Sequence, residues 1–230
     1  AEIVLPKSAS AEKRRGISST GARLTIFGDS FDEALEYGIA LAKDSGGRFV
    51  HPYADPLVIA GQATIGLELL RQTPDMTHVV LPVGGGGMLA GVASVIKEHK
   101  ENVEVVAVQV EGNSAFVDSL EAGRPLQGQP VDPKLEGIAV GSVHPLNFDM
   151  ARLLVDRTVV VDQKTLYQTI RDLYAETGKL LETAGAVSPA GAKLLAGTAL
   201  RGVDARVVAI ASGANAPKGL AEEVDKLSRR

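Results

Sequence analysis

Short apolar runs and longer amphipathic stretches alternate along this chain with a regular beat. Ile3, Val4 and Leu5 form a run of the length that suits a buried strand, and residues 23–27 and 48–51 repeat it. Between them, residues 9–20 and 31–44 carry helical spacing. Ala34, Leu35, Ile39 and Leu41 make one apolar face of the second helix, with Asp32 and Glu33 early and Lys43 late, as the helix dipole favours. Gly21 and the pair Gly46 and Gly47 follow the two helical stretches, where C-terminal stop signals belong. This part reads as β-α-β-α-β. Pro52 and Pro56, within His51-Pro52-Tyr53-Ala54-Asp55-Pro56, break the rhythm and mark a domain crossover.

The alternation then restarts. A helix over 58–71 leads to a strand over 78–83, a helix over 88–99 and a strand over 103–110, the order of a parallel crossover unit. A short helix at 114–122 precedes a stretch with Gly and Pro, reaching residue 147, of the kind that lines sites. Beyond it the pattern predicts helices over 149–154, 165–181, 187–195 and 220–228 and strands over 158–161 and 206–211. The fold class is α/β, with residues 1–53 expected to be the remainder of a small domain and 54–230 a large one. Because Ile3 to Leu5 has almost nothing ahead of it to turn into, the chain is expected to begin within a domain.

Composition narrows the partners. A 45% hydrophobic chain with 4% aromatics and no Trp suits parallel strands and helices packed through small aliphatic side chains. Net charge is −4, with Lys and Arg scattered among the acids, so the basic stripe of a nucleic-acid binder is missing. No apolar run approaches the roughly 20 residues that span a bilayer. Cys is absent, which rules out a disulfide framework and a thiol nucleophile and fits a cytoplasmic protein.

The chemistry concentrates at Pro82-Val83-Gly84-Gly85-Gly86-Gly87-Met88-Leu89-Ala90-Gly91, where four consecutive glycines join a buried strand to an amphipathic helix. Without Cβ atoms the backbone can turn sharply and aim several N–H groups at one anion, with the helix's partial positive charge behind them. A merely flexible turn there would cost conformational entropy without a structural gain. The spacing matches neither G-x-G-x-x-G nor G-x-x-x-x-G-K-[ST], so a small phosphate-bearing cofactor is favoured over a nucleotide. Ser212-Gly213-Ala214-Asn215 ends a second buried strand. Ligand groups gather at such carboxyl ends, although the same residues are also ordinary helix-entry chemistry.

Five segments together resemble the threonine/serine dehydratase family, which includes serine racemase and hydroxyaspartate ammonia-lyases. They are Val58-Ile59-Ala60-Gly61-Gln62-Ala63-Thr64-Ile65-Gly66-Leu67-Glu68, Pro82 to Gly91, Glu136-Gly137-Ile138-Ala139-Val140, Glu182-Thr183-Ala184-Gly185-Ala186 and Ser212 to Asn215. In order and spacing they cover essentially the whole chain. The resemblance implies the fold type II architecture of PLP (pyridoxal 5'-phosphate) enzymes, like the tryptophan synthase β subunit, with two parallel α/β domains incomplete at the amino terminus. By the same resemblance Gly84, Gly85, Gly86, Gly87 and Met88 would hold the PLP phosphate, Ser212 would hydrogen-bond the pyridine nitrogen, and Gly137 and Glu182 would lie near the ring. A neutral serine leaves that nitrogen unprotonated, which favours β-elimination.

The implied reaction is dehydration and deamination of threonine or serine to a 2-oxo acid and ammonia, in a homo-oligomer, dimer or tetramer. Serine racemisation and hydroxyaspartate elimination remain open, as does, from another class, a non-catalytic PLP- or phosphate-binding fragment. Two departures bear on this. The family's cofactor lysine lies in a Ser-Phe-Lys-x-Arg-Gly-like segment that does not occur here. Lys7 and Lys13 belong to a stretch resembling one that follows it, and Lys218 lies past the last strand. No catalytic residue is therefore expected in this chain; the lysine is expected from a missing amino-terminal segment or a complementary chain. Where some relatives offer two carboxylates to a divalent cation, this chain has Gln109 and Ala115, so no metal site is expected.

Overall fold

The computed structural model describes residues 1–126, 135, 138, 140, 141, 143–213, 216 and 219–228. The chain divides into two compact units, Ala1–His51 and Pro52–Arg230.

In the first unit β1 (Glu2–Leu5) and β2 (Arg23–Ile26) pair in parallel, Val4 opposite Thr25, through the crossover helix α1 (Ala11–Ser19). Ser10 caps α1 by accepting from the Lys13 N–H, and Ser30 caps α2 (Phe31–Asp44) by accepting from Glu33. Residues 48–51, expected as a strand, are not one. A strand exists only where a neighbour meets its N–H and C=O groups, and among the described residues the sheet of this unit ends at β1 and β2. Phe49 instead turns its ring toward Gly38 of α2 and meets His51 edge-on, ring centres 6.1 Å apart.

The second unit is built on β3 (His78–Pro82), β4 (Glu104–Val110), β5 (Arg157–Val161) and β6 (Val207–Ala209), in the order β5-β4-β3-β6, with every neighbouring pair parallel. Val80 stands opposite Val106 on one side and Ala209 on the other. The strand period of two sends Val79, Leu81, Val83, Val105 and Ala107 to one face and Val80, Val106, Val108 and Val110 to the other. All nine are fully buried, because helices cover both faces.

Over the first face lie α3 (Pro56–Gln72), α4 (Gly87–His99), α5 (Ala115–Ala122) and α6 (Pro145–Leu154), contributing Leu69, Leu89, Ile96, Phe116 and Phe148. Over the second lie α7 (Gln163–Thr177), α8 (Thr183–Gly197) and α9 (Leu220–Ser228), contributing Leu166, Ile170, Val187 and Val224. Close approach needs small residues. A Cβ on Gly91 of α4 would lie 2.8 Å from the Ala63 nitrogen of α3, so the two helices cross nearly main chain on main chain.

Two helix boundaries fall where caps, more than apolar spacing, put them. Asp55 accepts from Leu57 and Pro56 takes the first position of α3, so that helix starts before residue 58. Gly178, at φ +69°, closes α7 before residue 181.

Candidate active site

A parallel sheet gathers its loops at the carboxyl ends of its strands, and that edge carries the turn Gly84 to Gly87 after β3 and Ser212 with Gly213 after β6. β3 and β6 are direct neighbours, with Ile210 N–H donating to the Val80 carbonyl, so both turns leave the sheet side by side.

Each glycine of the first turn has a neighbour close against the place its Cβ would take. A Cβ on Gly84 would sit 3.2 Å from the Ile138 Cα, one on Gly85 would run into the Tyr53 ring, one on Gly86 would sit 3.1 Å from the Asn147 Cβ, and one on Gly87 would run into the Tyr53 carbonyl oxygen. Gly86 also has φ +85°, a conformation open to glycine. Gly86 is the N-cap of α4 and has no side chain to accept from the helix. The N–H groups of Gly86, Gly87, Met88 and Leu89 are therefore the ones that no carbonyl of α4 reaches. Three of the four glycines are buried, while Gly84 and Met88 are half-buried. The turn is a fixed cradle with orphaned donors and a helix dipole behind it, which fits a phosphate.

The wall behind the turn comes from distant sequence. Asn147, fully buried in the first turn of α6, donates its amide to the Gly85 carbonyl at 2.6 Å and the Tyr53 carbonyl at 2.9 Å. Neither Tyr53 nor Asn147 stands out in the sequence. Asn at a helix start is ordinary capping chemistry, and Tyr53 lies in a stretch read only as a crossover. A glycine turn this crowded on one side does require bulky partners, but nothing local names them.

Glu182 and Ser212 meet through their neighbours. The Glu182 N–H donates to the Gly213 carbonyl at 2.9 Å, and a Cβ on Gly213, itself at φ +69°, would lie 2.5 Å from Glu182 Oε1. A Cβ on Gly185 would lie 2.6 Å from the Ser212 carbonyl carbon. The start of α8 is thus packed backbone to backbone on the turn after β6. Both Glu182 and Ser212 are half-buried. Gly137, with Ala214 and Asn215, lies outside the described residues; its neighbour Ile138 stands against Gly84, held by Asn113, whose amide donates to the Ile138 carbonyl.

Gln109 is occupied at both ends. Its amide nitrogen donates to the Val83 carbonyl at 3.2 Å, and its oxygen accepts from Phe116 and Val117 at 3.0 Å each, tying the end of β3 to the start of α5. Among the described residues no group of three His, Cys, Asp or Glu could hold a metal ion. Asp162 stands at the end of β5 on the same edge. The Thr165 hydroxyl and N–H both donate to its carboxylate and hold its pKa below the usual range. Among the described residues, no helix is long and apolar enough to cross a membrane.

The family described as "Pyridoxal-phosphate dependent enzyme" matches residues 1–213. The chain is 37% identical over 216 residues to a threonine dehydratase of Nicotiana attenuata, covering 94% of this chain and 36% of that protein. It is 38% identical over 192 residues to an L-threonine ammonia-lyase of Thermotoga maritima, covering 83% of this chain and 47% of that one. It superposes on the processed form of threonine deaminase isoform 2 from Solanum lycopersicum with a TM-score of 0.93 at 35% identity, covering 99% of this chain and 66% of that structure. The chain thus spans a third to a half of these two curated relatives.

Proposed function

The chain belongs to the pyridoxal-phosphate dependent enzymes, and on that premise we propose that it forms the cofactor-phosphate half of a fold type II lyase that dehydrates and deaminates threonine or serine. The glycine turn after β3 carries the reading, because it joins a strand end to a helix start whose first N–H groups have no partner within the helix. When bound, PLP supplies an electron-withdrawing ring that labilises bonds at the amino acid's α-carbon.

This chain's own residues do the holding. The N–H groups of Gly84 to Met88 take the phosphate. Ser212, kept in place by Gly185 and Glu182, meets the ring nitrogen with a neutral hydroxyl and leaves it uncharged, which suits loss of a β-hydroxyl. Glu182, packed on Gly213, borders the ring. The lysine that exchanges the α-proton and the groups that grip the substrate carboxylate come from the rest of the enzyme. Threonine is the favoured substrate because the relatives named above are threonine enzymes.

The reading includes assembly with the enzyme's remaining segment or with a second copy of the chain. A cysteine-free chain supports a cytoplasmic setting. The test combines this chain with the enzyme's complementary segment, PLP, and threonine or serine, and measures 2-oxo acid. Product from threonine supports the reading, and no product from either amino acid overturns it. Exchange of serine enantiomers, or oxaloacetate from hydroxyaspartate, would reassign the reaction within the family.

A further inference from the structure

Asn147 does more than fill space behind the glycine turn. Both neighbours of its amide are carbonyl oxygens, those of Gly85 and Tyr53, so its nitrogen must face them. That orientation leaves Oδ1 buried with no partner among the described residues, which carries a desolvation cost that leucine would avoid. Packing alone therefore does not account for an amide here. The peptide joining Gly85 to Gly86 is trans, like every described peptide, and a trans peptide points its C=O and N–H in opposite directions. By capturing the Gly85 carbonyl, Asn147 turns the Gly86 N–H to the opposite edge of the loop. The second bond, to the Tyr53 carbonyl, locks the turn to the main chain that Gly87 touches.

We propose that Asn147 is a positioning residue for the anion site, aiming the Gly86 N–H at the phosphate by holding the Gly85 carbonyl from behind. This rests on the PLP-phosphate reading of the turn. Glycine needs such a brace, because Gly85 and Gly86 have no side chains to fix their own peptide plane.

The test titrates the whole chain with PLP and with unphosphorylated pyridoxal, in the wild type and in Asn147→Leu and Asn147→Asp. One misaimed donor to a charged acceptor is expected to weaken PLP binding by roughly tenfold or more in Asn147→Leu, with pyridoxal binding unchanged within about twofold. Asn147→Asp is expected to bind PLP more weakly still, since a carboxylate repels the Gly85 carbonyl and the anion. PLP binding equal to wild type in Asn147→Leu, or equal weakening of both ligands, overturns the proposal. A measurement on the wild type alone covers variants that fail to fold. Inorganic phosphate is expected to shift the Gly86 amide resonance in a ¹⁵N spectrum, and a silent Gly86 beside shifting neighbours overturns the proposal too. If the wild type shows no preference for PLP over pyridoxal, the phosphate reading itself fails; if it does and Asn147→Leu matches it, only the role of Asn147 fails.

Discussion

Gly185 and Ser212 touch backbone to backbone: a Cβ on Gly185 would lie 2.6 Å from the Ser212 carbonyl carbon, closer than real Cβ contacts come. The turn that carries the Ser212 hydroxyl is therefore set by the start of α8. Gly185→Ala is expected to lower stability by about 1–3 kcal/mol, the range for overpacking a close contact. Gly61 gives the opposite sign. It lies exposed within α3, and a Cβ there meets nothing within 4 Å, so Gly61→Ala is expected to raise stability by roughly 0.5–1 kcal/mol. Denaturant titration of the two variants checks both.

Gln109 bonds at both ends of its side chain, to the Val83 carbonyl and to the Phe116 and Val117 N–H groups, all in the buried layer. Gln109→Glu keeps the acceptor and loses the donor, setting a carboxylate against a carbonyl. A loss of about 1–3 kcal/mol is expected, read as a lower midpoint in urea. A variant as stable as the wild type would show that this tie between β3 and α5 is dispensable.

Asp162 caps α7 and is held ionised below its usual range by Thr165. A depressed folded pKa adds stability that is complete above the unfolded value and lost as pH falls through the folded one. At neutral pH Asp162→Ala is expected to cost about 1 kcal/mol. The wild type's advantage over Asp162→Asn is expected to shrink as pH drops below about 4, the ordinary aspartate value. Thermal melts from pH 7 to pH 3 test the sign.

Much of this was legible in the chain. Residues 78–83 and 103–110 read as buried strands because apolar runs of that length have few alternatives, and Gly84 to Gly87 read as a sharp turn into a helix because glycine suits one. Residues 48–51 carried the same strand signal and formed none, since pairing depends on a neighbour that local pattern does not contain. Asn147 was invisible for a related reason: its role depends on Gly85 and Tyr53, far from it in sequence, and a helix-start Asn is commonplace.

The cofactor lysine offers a separate check. Reduction of the chain with borohydride in the presence of one equivalent of PLP is expected to label no single lysine stoichiometrically in its peptide map. Stoichiometric labelling of one lysine, Lys7, Lys13 or Lys218 among them, would place the cofactor linkage in this chain and overturn the division of labour proposed above.

The central claim, that the turn after β3 holds the phosphate of PLP, is tested most directly by a crystal structure of the chain grown with the cofactor. The expected result is a phosphate within hydrogen-bond reach of the N–H groups from Gly84 to Met88, lost in Gly85→Ala, whose Cβ would run into the Tyr53 ring. A phosphate bound elsewhere on the chain, or bound unchanged in Gly85→Ala, would contradict it.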